Sequence, residues 1–170
     1  MSNVSELLNN TTQGVLDSLD GCPNELFVNK IDANKWSVAD VVEHIMLVEQ
    51  GVVFNLKRLG ASGETVEIEK PLTHDYILEK CVSRDIKVDS PKLFVPTGKF
   101  TEVQQAVDAF SDHRKEVSVF HDTHELDMKS IGFPHPIFGM LNGDNWWSFI
   151  PGHCQRHIDQ IDLLKAELNA

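Results

Sequence analysis

Residues 37–60 carry the pattern that leaves this chain the fewest folds to adopt. Val38, Val41, Val42, Ile45, Val48, Val52, Leu56 and Leu59 recur at steps of three and four, which puts them on one side of a helix with 3.6 residues per turn. Ser37 stands at the start with Asp40 three residues on, the spacing of a capping box, and Gly60 closes the run. A stripe this long must be buried against other elements.

Three further segments repeat the pattern. Asn3 to Leu19 places Val4, Leu7, Leu8, Val15 and Leu19 near helical spacing, with Gly14 as a weak point and Gly21 as the stop. Thr101 and Gln104 have capping-box spacing ahead of Val103, Val107, Phe110, Val117 and Phe120. A last helix is expected from about Asp144, after the turn signal Asn142-Gly143, burying Trp146, Ile150, Ile161, Leu164 and Leu168. Between the second and third helices, HDYILEKCV predicts a short helix and FVPTGKF a loop. IGFPHPIFGMLNGD, between the third and fourth, is turn-rich and expected to be non-helical. Four long amphipathic helices without a regular strand pattern predict an all-α four-helix bundle, with long connections between helices two and three and between three and four. These connections admit crossover topology as readily as up-and-down. No repeat, low-complexity tract or linker divides the chain, so residues 1–170 read as a single domain.

A formal net charge of −11 disfavours nucleic acid or an anionic membrane as partner. No apolar run approaches the roughly 18 residues of a membrane span. Cys22, Cys81 and Cys154 are odd in number and widely spaced, which predicts neither a disulfide framework nor a cysteine zinc site. MSNVSELLNN lacks the basic and apolar regions of a signal peptide, and a cytoplasmic location is expected. No Rossmann or P-loop fingerprint occurs, so no nucleotide cofactor is expected.

The stretch NWWSFIPGHCQRHIDQIDLLK sets His157 near the middle of the last helix's apolar stripe and His153 toward its edge. Residues four apart stack on one helix face, and two interior imidazoles are well explained by a shared metal ion. Eight histidines in the chain would give roughly 0.4 such pairs by chance at a fixed spacing, so the pair needs a third ligand. His44, at the border of the second helix's apolar face, is the best candidate. Three protein ligands with one position open is the catalytic pattern. The competing reading is three core histidines, each bonded to a carbonyl.

Three motifs in register carry a resemblance to a known family: Trp36, Ser37, Asp40 and His44 as W-S-x-x-[DE]-x-x-x-H; the loop HPIFGMLNGDNWW; and His153, Arg156, His157, Gln160 and Ile161 as H-x-x-R-H-x-x-Q-I. The chain resembles the DinB-like (YfiT-type) superfamily of metal-dependent enzymes, over residues 36 to 161. The resemblance implies a DinB/YfiT-like four-helix bundle, a divalent metal on His44, His153 and His157, zinc or nickel as that metal, and a homodimer. Pro151-Gly152, directly before His153, departs from the family pattern, and a proline there removes a backbone hydrogen bond.

Arg114 falls between Phe110 and Val117 on an apolar face, so it must find a carboxylate such as Asp40 or Glu43, backbone carbonyls or a bound anion. Gln160 could orient His157 or bond across the bundle. His121, Asp122, His124 and Glu125 form a rival metal cluster but read as a solvated helix end. Cys154 reads as a small buried hydrophobe, Trp146 and Trp147 as core or loop anchors. His135 could line the mouth of a site, although a histidine between two prolines usually has no chemistry.

The function expected is a metal-dependent hydrolase acting on a small molecule through metal-activated water, with Arg114 and Gln160 as possible support. No carboxylate stands at a general-base spacing like that of HExxH. The alternatives are a metal-dependent S-transferase using a low-molecular-weight thiol, and a non-catalytic stress-related metal-binding bundle.

Overall fold

In the computed structural model, which describes residues 3–83 and 89–169, the elements run α1 (Val4–Leu19), α2 (Asn24–Val28), α3 (Val38–Ser62), α4 (His74–Val82), a 3-10 turn (Lys92–Phe94), α5 (Val103–Thr123), β1 (Gly132–His135), β2 (Gly139–Asn142) and α6 (Gly143–Leu168). The long helices α1, α3, α5 and α6 form a four-helix bundle. Neighbours pack as α1 with α6, α6 with α3, α3 with α5 and α5 with α1, so α1 lies diagonal to α3 and α5 diagonal to α6. Two of the three connections between bundle helices therefore cross the bundle. α4 packs along the outside of α6.

The capping box expected for α3 is present: Ser37 Oγ accepts from the Asp40 N–H at 3.1 Å, and Asp40 Oδ2 accepts from the Ser37 N–H at 3.0 Å. α4 occupies the nine residues predicted for it, capped by Thr73. The start of α5 differs from expectation. Thr101 bonds Gln105 rather than forming a box with Gln104, and the Val103 N–H donates to Asn24 Oδ1 of α2. A capping box needs its first residue at the helix boundary, and the boundary lies one residue later, at Glu102. The turn-rich segment after α5 is non-helical as expected, but it contains an antiparallel hairpin, with Gly132 opposite Asn142 and His135 opposite Gly139. Asn142 then caps α6 through a 2.9 Å bond from the Asn145 N–H.

α6 continues unbroken through Pro151. Gly152 is accounted for by its neighbour: a Cβ there would lie 2.9 Å from Cys81 Cβ, so the missing side chain lets α4 approach α6 closely. The core forms two apolar clusters. One surrounds Val15, Val41, Ile45, Phe110 and Ile161; the other surrounds Leu8, Val52, Leu56, Val117 and Ile150. Between them, Thr11, Glu49 and Arg114 form a buried polar layer.

Candidate metal centre

α3 and α6 are adjacent in the bundle, and their packing brings His44 together with His153 and His157. One ligating nitrogen from each of the three rings lies within 4.8 Å of the others. His153 Nε2 and His157 Nε2 are 3.1 Å apart. Two imidazole nitrogens on a tetrahedral ion, with bonds of about 2.0–2.1 Å, stand roughly 3.3 Å apart, so the pair is already near ligating separation.

The other ring nitrogens set the tautomers. His44 Nδ1–H donates to the Phe94 carbonyl at 2.8 Å, and His157 Nδ1–H donates to Gln160 Oε1 at 2.7 Å. Each bond leaves Nε2 as a lone pair, the arrangement metal-binding histidines need. His153 differs: its Nδ1 is buried without a hydrogen-bond partner, and its Nε2 faces the lone pair of His157 Nε2, so no acceptor on Nδ1 holds the ring in the tautomer a metal needs. Burial holds all three rings below the ordinary histidine range. His44 is lowered by burial, partly offset by the Phe94 bond. His153 lies well below it, from burial and then the neighbouring histidines. His157 is lowered to about 3, by burial first and His44 second. Three neutral imidazoles are the donor set a divalent ion such as zinc takes, and the residues present fit one.

Two features of the local fold hold His44. The Phe94 ring lies against Gly51, where a Cβ would meet it at 2.7 Å, and this brings its carbonyl to the imidazole. Glu43, the preceding residue, holds the loop that follows. Its Oε1 accepts from Thr97 N and Oγ1 at 2.9 and 2.7 Å, and its Oε2 from Gly98 N and Lys99 N at 3.0 and 2.9 Å. The centre opens into a cleft of about 1310 Å³. Aromatic walls flank it: Trp36 packs on His44 at 4.7 Å and Phe149 on His153 at 5.1 Å between ring centroids.

The family model of the DinB superfamily matches residues 7–161. The chain belongs to the DinB superfamily. YuaE of Bacillus subtilis (strain 168), an uncharacterized protein, is 26% identical over 154 residues, covering 89% of this chain and 91% of YuaE. Among solved structures, YfiT from Bacillus subtilis, described as a probable metal-dependent hydrolase with an unusual four-helix bundle topology, aligns with a TM-score of 0.62 at 16% identity, over 98% of this chain and 86% of YfiT. The four-helix bundle protein TT2238 aligns with a TM-score of 0.55 at 18% identity, over 94% and 96% of the two chains. At these identities the structural likeness establishes a shared fold.

Other residues of this DinB-superfamily chain fall into place around the centre. Arg114 is not in the cleft lining, and its partner is neither Asp40 nor Glu43. It donates to Glu49 Oε1 at 2.8 Å, to Thr11 Oγ1 at 3.2 Å and to the Leu8 carbonyl at 3.3 Å. Asp40 is engaged by Lys30 and the α3 cap. Cys154 is fully buried, and burial pushes its thiol up to about 12, as suits a core side chain. Trp146 and Trp147 are both buried; Trp146 also lines the cleft. The rival cluster is less solvated than expected, because the His124 ring stacks on Trp147 and His121 packs edge-on against it. Among the described residues, no group of three potential ligands close enough to hold an ion includes those histidines. The Phe94 carbonyl carried no sequence signal, because any residue offers one; Trp36 stood in the W-S motif, but the motif did not show it as a wall on His44.

Proposed function

We propose that this chain is a metal-dependent hydrolase of small molecules, with His44, His153 and His157 holding a divalent ion, zinc or nickel. The observation that carries this reading is the meeting of three neutral imidazoles, two with their tautomers fixed for ligation, beside a cleft large enough for a small molecule. When bound, such an ion supplies Lewis acidity, which polarises an acceptor oxygen and makes water more acidic. The chain's own part is to hold and to shield. Phe94 and Gln160 fix His44 and His157, and the depressed proton affinity of the rings keeps protons from competing for their lone pairs near neutral pH. Trp36 and Phe149 limit the water around them.

A second reading is supported by the charges of the cleft. Among the described residues, Asp89 is the only carboxylate in its lining, so no acid stands beside the histidines as an evident general base. Transfer of a low-molecular-weight thiol has less need of one, because a thiol loses its proton far more readily than water. Elemental analysis of the purified protein beside His157→Ala tests the shared premise: one divalent ion per chain is expected in the wild type and a large loss in the variant. Metal-loaded protein is then assayed on ester and amide panels, and on a thiol with an electrophile. Turnover only of the latter overturns the hydrolase reading. Failure to bind metal overturns both.

A further inference from the structure

His135 stands at the end of β1, and its ring is oriented by the turn that follows. Its Nδ1 accepts from the Ile137 N–H at 3.1 Å and the Phe138 N–H at 3.3 Å. Two donors on one ring nitrogen require a lone pair there, so the proton of the neutral ring must sit on Nε2. Burial lowers the ring's proton affinity to about 4, and the same tautomer persists across neutral pH. Phe149, Phe138 and Trp146 hold the ring, at centroid distances of 4.7, 4.8 and 5.4 Å. Phe149 in turn packs on His153, so one aromatic ring separates His135 from the three-histidine centre.

Among the described residues nothing accepts from His135 Nε2, although the residue is largely buried and lines the cleft. A donor fixed in direction by the turn and open to the cleft favours a guest that supplies the acceptor. The cleft's charges point to the same class. Among the described residues Lys35 and Lys80 line it, with Asp89 as the one carboxylate, in a chain of net charge −11.

We propose that His135 is a substrate-recognition residue whose Nε2–H donates to an oxygen acceptor, a carboxylate foremost, of the molecule bound beside the three-histidine centre. The proposal rests on the metal reading above. It excludes His135 as a base, and it disfavours ligands that offer only N–H groups at this place.

Cobalt(II)-loaded protein tests it through the visible spectrum, without any assay of turnover. The probes are acetate, malonate and succinate, which set an oxygen acceptor at increasing distance from the ion, and imidazole, which once coordinated offers only an N–H. In His135→Asn the side-chain oxygen can still accept from the turn amides, but the Nε2–H is gone. The dissociation constant of at least one carboxylate is expected to rise about tenfold, with that of imidazole unchanged. His135→Gln, which carries an N–H at about the reach of Nε2, is expected to recover the affinity. Unchanged affinity for all three carboxylates in His135→Asn overturns the proposal, as does equal weakening of imidazole. Wild-type protein that takes up no cobalt overturns the metal reading and the proposal together, and its blank spectrum distinguishes that case.

Discussion

Gln160 and the Phe94 carbonyl do for His157 and His44 what nothing does for His153. A ligand whose second nitrogen has a hydrogen-bond acceptor is oriented and made more basic, and loss of such a partner typically weakens metal binding about 10–100-fold. Gln160→Leu is therefore expected to lose metal affinity in that range, measured by competition with a chelator, while Gln160→Glu keeps it. The two halves of this arrangement were not equally legible. Helical spacing placed His157 on the buried face, and Gln160, three residues on, was a visible partner. The acceptor of His44 is a backbone atom fifty positions away, and no side-chain pattern marks it.

At the scale of elements, Glu43 and His44 act on one segment. The Glu43 carboxylate gathers the backbone of 97–99, while His44 bonds the carbonyl of Phe94 just before it. Burial alone would raise the Glu43 carboxyl, but the hydrogen bonds from Lys99, Thr97 and Gly98 outweigh it and hold the group below its ordinary 4.5. The folded chain thus binds this proton less readily than the unfolded chain. The stabilisation is complete above about pH 4.5 and is lost as pH falls through the folded value. Glu43→Gln should show a shallower loss of stability between neutral pH and pH 3.5 than the wild type in urea titrations. Glu43→Ala should cost about 1–3 kcal/mol at pH 7 and weaken metal binding through His44. Elements with long periodic stripes, α3 above all, were readable in advance, and α4 occupies the nine residues expected of it. The hairpin was not, because strands of four residues give too few alternations to stand out. The reason for Gly152 was not readable in advance, since the benefit of the glycine lies in a neighbouring helix.

Across the whole molecule, the polar layer of Arg114, Glu49 and Thr11 ties α5 to α3 and α1 between the two apolar clusters. Glu49 also accepts from His113 Nε2 at 2.9 Å. Removing one member leaves a buried charge unpaired, which typically costs about 3–5 kcal/mol, whereas replacing a pair by apolar groups is often neutral. Arg114→Met is expected to destabilise by about that amount in denaturant titrations, and Arg114→Met combined with Glu49→Leu to recover more than half of it. Because Arg114 lies outside the cleft lining, folded protein of either kind should keep its metal content. Periodicity identified Arg114 as an interior cation, and the expected acids Asp40 and Glu43 lie on the right helix, but the partner is Glu49 further along α3, because periodicity carries no information on how α5 is set lengthwise against α3. The diagonal placement of α1 and α3 sets both beside α5, so the guanidinium also reaches Thr11.

That crossed arrangement also bears on synthesis. His44 leaves the ribosome roughly a hundred residues ahead of His153, and the two meet only where α6 packs against α3. A nascent chain that has not yet made α6 has only one of the three imidazoles, so ion capture cannot guide its early folding. On the proposed reading, an ion held by all three would mark a finished bundle.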